Sequence, residues 1–147
     1  CICHSTVIPR AAPVSVSAVR RSTKANNTKV TMRTIRPAGI DDMAGVNDCW
    51  LLSDIPDAAE RAAMAQLGVA PWFPHIVHTG TLLVAEVDGM IVGFAGTQTR
   101  GRVCYLADCF VRPDWQSRGV ARALLEQLHA DPTLIHCTLA SSGRLSM

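Results

Sequence analysis

The chain has 147 residues, of which 48% are apolar and 18% charged, and its formal net charge is +2. That length suffices for one domain with a real core and falls short of two, and the composition excludes a disordered or fibrous protein. No apolar run approaches the roughly 20 residues that cross a bilayer, so a soluble, cytoplasmic protein without a membrane partner is expected.

The charge is unevenly placed. Residues 1–30 carry Arg10, Arg20, Arg21, Lys24 and Lys29, no acid, and many hydroxyls, among them Ser15, Ser17, Ser22 and Thr23. A basic, Ser-rich, acid-free leader has the composition of an organelle transit peptide. The chain starts at Cys1, however, and Met32-Arg33-Thr34 offers a second opening. Residues 1–30 therefore read as a disordered leader or upstream read-through, ahead of a domain spanning 31–147. That domain holds nine basic residues against all 12 acids, a net of −3, which gives no reason to expect a nucleic-acid partner.

The six cysteines form no framework. Cys1-Ile2-Cys3-His4 is half of a zinc site with no second pair at ligand spacing, so no metal is expected. Cys104 and Cys109 lie an odd number of residues apart on one predicted strand, which places them on opposite faces. Small buried thiols in a reducing compartment account for them.

In chain order, a short strand is expected over Val30–Ile35, then a turn at Pro37 and Gly39. Asp41-Asp42 opens a helix over about 41–53, with Met43, Val46 and Trp50 at helical spacing. Pro56-Asp57 starts a second, Ala-rich helix that ends at Gly68. Residues 69–79, with Pro71, Pro74 and two histidines, read as a loop. Thr81–Val87 and Met90–Gly96 flank Asp88-Gly89, the signature of a type I′ hairpin. A strand over Val103–Arg112 precedes a polar loop. Val120, Leu124, Leu125 and Leu128 then form the apolar face of a helix, with Arg122 and Glu126 outside it. Leu134–Leu139 is the last strand.

The most specific stretch is Cys109-Phe110-Val111-Arg112-Pro113-Asp114-Trp115-Gln116-Ser117-Arg118-Gly119-Val120-Ala121. An apolar strand stops at a proline and a polar loop leads into a helix with glycine at its start. Unpaired N–H groups then collect at the positive end of a helix, where phosphate oxygens bind. This loop resembles the acyl-CoA pyrophosphate motif of the GNAT superfamily of N-acetyltransferases: Gln or Arg, two residues, Gly, one residue, Gly or Ala. Gln116, Gly119 and Ala121 fill it, and the resemblance covers roughly residues 30–140.

The resemblance implies an α/β (α+β) fold with a mixed, mostly antiparallel central sheet flanked by helices. It also implies direct transfer of an acetyl group from acetyl-CoA to a primary amine, on a small molecule or a peptide. The backbone of Cys109, Phe110 and Val111 would pair with the pantetheine arm. Gln116, Ser117, Arg118, Gly119, Val120, Ala121 and Arg122 would hold the pyrophosphate. Asp108 interrupts the apolar run beside the expected thioester, which makes it the candidate base; an acid one position earlier, at Ala107, is the commoner family pattern. A structural role for Asp108, capping a bulge or accepting backbone amides, competes with this. Cys109 as a nucleophile is disfavoured, since no His-and-acid pair accompanies it. Trp72, Phe73, His75 and His78 are candidate acceptor contacts, and Asp54, Asp57 and Glu60 would favour a cationic amine.

The departure from the family follows Leu139. Only residues 140–147 remain, so the family's C-terminal helix and last two strands are absent and the domain reads as C-terminally truncated. The sole tyrosine, Tyr105, is on the wrong strand to protonate the leaving thiolate. An open sheet edge would result, which suits pairing with a second copy as a homodimer. An inactive remnant of the fold, and a module that binds coenzyme A or a partner without turnover, stand as the alternatives.

Overall fold

Among the described residues, five strands line up in the order β1-β2-β3-β4-β5: Arg33–Pro37, Thr81–Val87, Met90–Arg100, Val103–Val111 and Ile135–Thr138. The first three pairings are antiparallel and the last, β4 with β5, is parallel. The expected mixed, mostly antiparallel sheet is therefore present. The computed structural model describes residues 33–139, which fall within one unit, Thr31–Met147. The expected leader and the Cys1-Ile2-Cys3-His4 cluster lie outside the described residues.

Helices α1 (Met43–Asp54) and α3 (Trp72–Thr79) cover one face of the sheet. Val46, Cys49, Phe73 and Ile76 pack there against Leu82, Val84, Ile91 and Phe94. Helix α4 (Val120–Leu128) covers the other face, where Val120 and Leu124 meet Leu83, Ala85, Val92, Ala95 and Val111. Its close seating depends on Gly93, since a Cβ there would lie 2.8 Å from Val120 Cγ1. Helix α2 (Ala58–Gln66) buries none of its side chains. It is held at its start: Asp57 accepts the Glu60 N–H at 2.8 Å, and Arg61 donates to the Ile55 and Pro56 carbonyls.

The hairpin turn is as expected. Asp88 and Gly89 have φ of 50° and 80°, the paired positive values of a type I′ turn. The first strand and the last are offset or shorter than expected, as element ends commonly are.

Two expectations are corrected. Residues 69–79 are not a loop, because α3 fills most of them. Both prolines fall where a helix does not need their N–H: Pro71 is the N-cap, with φ −67°, and Pro74 is in the first turn. Burial of Phe73 and Ile76, three residues apart, then holds the helix on the sheet.

Cys104 and Cys109 do not lie on opposite faces. Gly96 faces Asp108 while the next residue, Thr97, faces Leu106, so Ala107 is an extra residue in β4. This β-bulge shifts the alternation by one. Leu106 and Cys109 both pack on the α4 side, whereas Ala107 and Phe110 pack on the α1/α3 side. Cys104, two residues before Leu106, shares the α4 side with Cys109.

Candidate active site

Strand β5 accompanies β4 only from Val103 to Leu106. Beyond that point the outer edge of β4, residues 107–111, has no strand beside it among the described residues. The bulge at Ala107 sits where the two strands part company. The result is an open slot lined on one side by backbone amides and carbonyls, which an extended, amide-bearing ligand can satisfy.

The lower end of the slot is closed by the loop from β4 to α4. A 3-10 turn, Pro113–Trp115, follows β4, and the Arg112 N–H binds the Val92 carbonyl at 2.9 Å. The Gln116 side chain turns back and donates to the Val111 carbonyl at 3.1 Å, fastening the loop to the strand end. The Arg118 guanidinium lies over the Trp115 ring, 4.9 Å from its centre. Arg112 reaches across to Asp48 on α1 at 3.0 Å.

Ser117 and Gly119 both take left-handed backbone angles, φ 60° and 75°. Alternating left- and right-handed residues turn successive N–H groups inward, the geometry that cradles anions. Gly119 is the N-cap of α4, and the first intrahelical bond runs from the Ala123 N–H to the Gly119 carbonyl at 3.1 Å. The N–H groups of Val120, Ala121 and Arg122 therefore have no acceptor within the helix. A Cβ built on Gly119 meets nothing within 4 Å, so the space in front of this helix start is open. The loop residues singled out in the sequence, 116–122, thus lie together around one helix start. Arg122 is an exception in its side chain, which pairs with Glu126 at 2.7 Å on the exposed helix surface.

Asp108 is half-buried beside the slot, and its carboxylate makes no hydrogen bond or ion pair among the described residues. Burial raises its carboxyl above the usual carboxylate range. It neither caps the bulge nor accepts a backbone amide, so the competing structural role finds no contact. By register it shares the α1/α3 face with Phe110, and the bulge brings Ala107 to that same face. An acid at either position would thus project from one side of the sheet. Cys109 lies on the opposite face, its thiol raised by burial and then by the Asp108 charge, which disfavours a thiolate nucleophile.

Sequence reasoning missed the row of rings that leads away from Asp108. Phe110 packs on Phe94 (5.6 Å between centres), Phe94 on Phe73 (5.3 Å), and Phe73 on Trp50 and Trp72. Phe73, offered as an acceptor contact, is fully buried and belongs to the core; Trp72 is 42% exposed. His75 and His78 are exposed on α3. The signal available was spacing: Phe110 stands two residues from Asp108, and Trp72 and Phe73 belong to a helix once the prolines are placed in its first turn.

A family model for the acetyltransferase (GNAT) domain matches residues 78–144, the hairpin, β4, the loop, α4 and β5. This is the GNAT fold. Among solved structures, the chain is similar to the ribosomal-protein-S18-alanine N-acetyltransferase from Escherichia coli, with 23% identity and a TM-score of 0.50 over 67% of this chain and 58% of that one. It therefore spans little more than half the length of that enzyme. It is also similar to the aminoglycoside N-acetyltransferase AAC(6')-Iy in complex with CoA (17% identity, TM-score 0.55, 78% of this chain and 81% of that one). A third is a Trypanosoma brucei acetyltransferase (18% identity, TM-score 0.54, 78% and 87%). At these identities the likeness is one of fold. No curated protein matches the sequence. Among the described residues of this GNAT fold, no helix is long and apolar enough to cross a membrane and no group of metal-binding side chains comes together.

Proposed function

We propose that the chain is an N-acetyltransferase that moves an acetyl group directly from acetyl-CoA to a primary amine of a small molecule or peptide. The observation that carries this is the joined pair of features on β4. Its outer edge is open over residues 107–111, and the strand leads straight into an anion cradle at Ser117–Arg122. The pantetheine arm lies along Cys109, Phe110 and Val111, and the pyrophosphate lies on the amides of the loop and first helical turn. Free Cys49, Cys104, Cys109 and Cys137 are consistent with a reducing, cytoplasmic setting.

The neutral amine attacks the thioester carbonyl carbon. The carbon–sulfur bond breaks, coenzyme A leaves as its thiolate, and the proton lost by the amine passes to Asp108 directly or through one water. Backbone N–H groups on the open edge are the donors available to the carbonyl oxygen as negative charge develops there. Direct transfer fits the surroundings of Cys109 better than an acyl-enzyme does, since its thiol is held protonated.

The test is Asp108→Asn with acetyl-CoA and an amine panel. Its kcat should fall by about 10²–10⁴-fold, the usual worth of a positioned base, with acetyl-CoA affinity unchanged. In the parent, kcat/KM rises with pH through the raised Asp108 value, and the variant loses that limb. Stability moves the other way. The fold favours the protonated carboxyl, so this group's contribution is present below about pH 3.9 and is lost as pH rises through its folded value. Asp108→Asn should therefore raise Tm at neutral pH. A variant with full activity and an unchanged pH profile assigns the base elsewhere.

A further inference from the structure

The register of β4 decides which of its backbone groups look into the slot. Arg112 stands opposite Val92, one place beyond the Gly93–Val111 pair, and its N–H binds the Val92 carbonyl at 2.9 Å. In an antiparallel ladder a hydrogen-bonded pair turns its groups to the neighbouring strand, and such pairs alternate with non-bonded ones. Arg112, Phe110 and Asp108 therefore turn their N–H and C=O groups towards β3. Cys109 and Val111 turn theirs outward, to the edge that β5 leaves after Leu106. From the bulge towards the loop, the outward row reads Cys109 N–H, Cys109 C=O, Val111 N–H, Val111 C=O. The last of these is taken, since Gln116 Nε2 donates to it at 3.1 Å. Pro113, the next residue of that parity, has no N–H to offer.

We propose that Gln116 is a positioning residue, which fixes the register of the pantetheine arm on β4 by closing the Val111 carbonyl to it. This rests on the acetyltransferase reading. The arm carries two amides, and its C=O and N–H groups alternate as those of a strand do. It can therefore pair with an open edge wherever donor and acceptor alternate. A bare row of four groups would accept it in two places one repeat apart, two residues or about 6.8 Å.

With Gln116 on the Val111 carbonyl, the row left for a ligand is donor, acceptor, donor. Anchored at the cradle by its pyrophosphate, the arm then has one acceptor to reach, the Cys109 carbonyl. Were the Val111 carbonyl open, it would capture an arm N–H nearer the cradle and draw the thioester back from Asp108. The loop holds Gln116 to this task. Its neighbour Trp115 packs on the α4-side core, and the Gln116 N–H closes the 3-10 turn on the Pro113 carbonyl. A side chain that only fastened the loop could bind any carbonyl; this one removes an acceptor from the slot.

Acetyl-CoA labelled with carbon-13 at its carbonyl, added to saturation and followed by NMR, tests this without any amine. The full-length parent should show one bound signal, displaced from its position in solution by donors on the carbonyl oxygen. Gln116→Met keeps the side chain's length and removes its donor, so the bound signal should divide or return towards the solution position. Saturation makes the comparison independent of affinity, and a loop that is merely looser leaves the signal where the parent has it. One signal at the parent's position in Gln116→Met overturns the proposal. With an amine that the panel yields, kcat at saturating acetyl-CoA should fall about 10²-fold, the cost of misplacing the reacting group; a change confined to KM overturns the proposal. Should Gln116→Met not fold, hydrogen exchange of the Gln116 side-chain amide in the parent decides. Protection kept with coenzyme A bound upholds the assignment, and protection lost overturns it, since Gln116 would then yield Val111 to the ligand. A parent that binds no acetyl-CoA defeats the functional reading and the register together, whereas the other adverse results defeat the register alone.

Discussion

Gly119→Glu should abolish acetyl-CoA binding in a calorimetric titration, a loss of at least ~100-fold, while Gly119→Ala should weaken it by less than about tenfold. Both changes put an L side chain at φ 75°, and both should cost about 1–2 kcal/mol in stability for the left-handed backbone. Neither creates a packing clash, since a Cβ at this position meets nothing within 4 Å. They differ in what they place in that open space. Glutamate sets a carboxylate at the positive end of α4, where it occupies the cradle and repels the pyrophosphate. A 100-fold loss corresponds to about 2.7 kcal/mol, within reach of one unfavourable charge at a helix start that also displaces phosphate contacts. Equal weakening by Ala and Glu would make backbone strain the cause, and unchanged binding by Glu would remove the pyrophosphate from this loop.

Phe73→Ala is the costliest single truncation expected in the core, at about 3–5 kcal/mol. The ring is completely buried and touches three others, Trp50, Trp72 and Phe94, at 5.9, 5.5 and 5.3 Å between centres. It links α1, α3 and β3, and no flexible neighbour stands ready to fill its space. Domains of this size are stable by roughly 5–15 kcal/mol, so the change removes a large share of the total and should lower Tm by on the order of 10–20 °C. Denaturant unfolding gives the measurement. Leu67→Ala, at a position 78% exposed, serves as the control and should stay within about 0.5 kcal/mol of the parent. A loss under ~1.5 kcal/mol at Phe73 would mean that α3 is not pinned to the sheet by this ring.

The elements that were legible in the sequence are those with a local cause. Asp88-Gly89 specified the hairpin because few residues accept two positive φ values in succession. Gly119, followed by Val120, Leu124 and Leu128 at helical spacing, located the start and buried face of α4. Helix α3 was hidden because Pro71 and Pro74 are breakers almost everywhere except the first turn, and nothing local reports that burial of Phe73 and Ile76 supplies the compensating energy. The bulge at Ala107 was hidden for a different reason. It is a property of two strands together: Gly96 marks the shift on β3, but β4 has only Ala107 there, and nothing in either strand alone says that the extra residue belongs to β4. Its omission misplaced Cys104 relative to Cys109. It also made the position of Asp108 look one residue out of step, when Ala107 and Asp108 present to the same side.

The extra residue in β4 gives that strand two phases. From Val103 to Leu106 the even-numbered side chains belong to the α4 face, and from Cys109 to Val111 the odd-numbered ones do. A saturation scan of β4 should register this as a change of parity, with the positions that demand small or apolar residues on the α4 side switching from even to odd across Ala107. Deleting Ala107 would bring the strand back into a single phase. Leu106 and Asp108, which already face Thr97 and Gly96 from opposite sides of the sheet, would become neighbours, so no side chain would trade faces, and the bulge where β4 parts from β5 would be gone although no side chain of the proposed cradle had been altered.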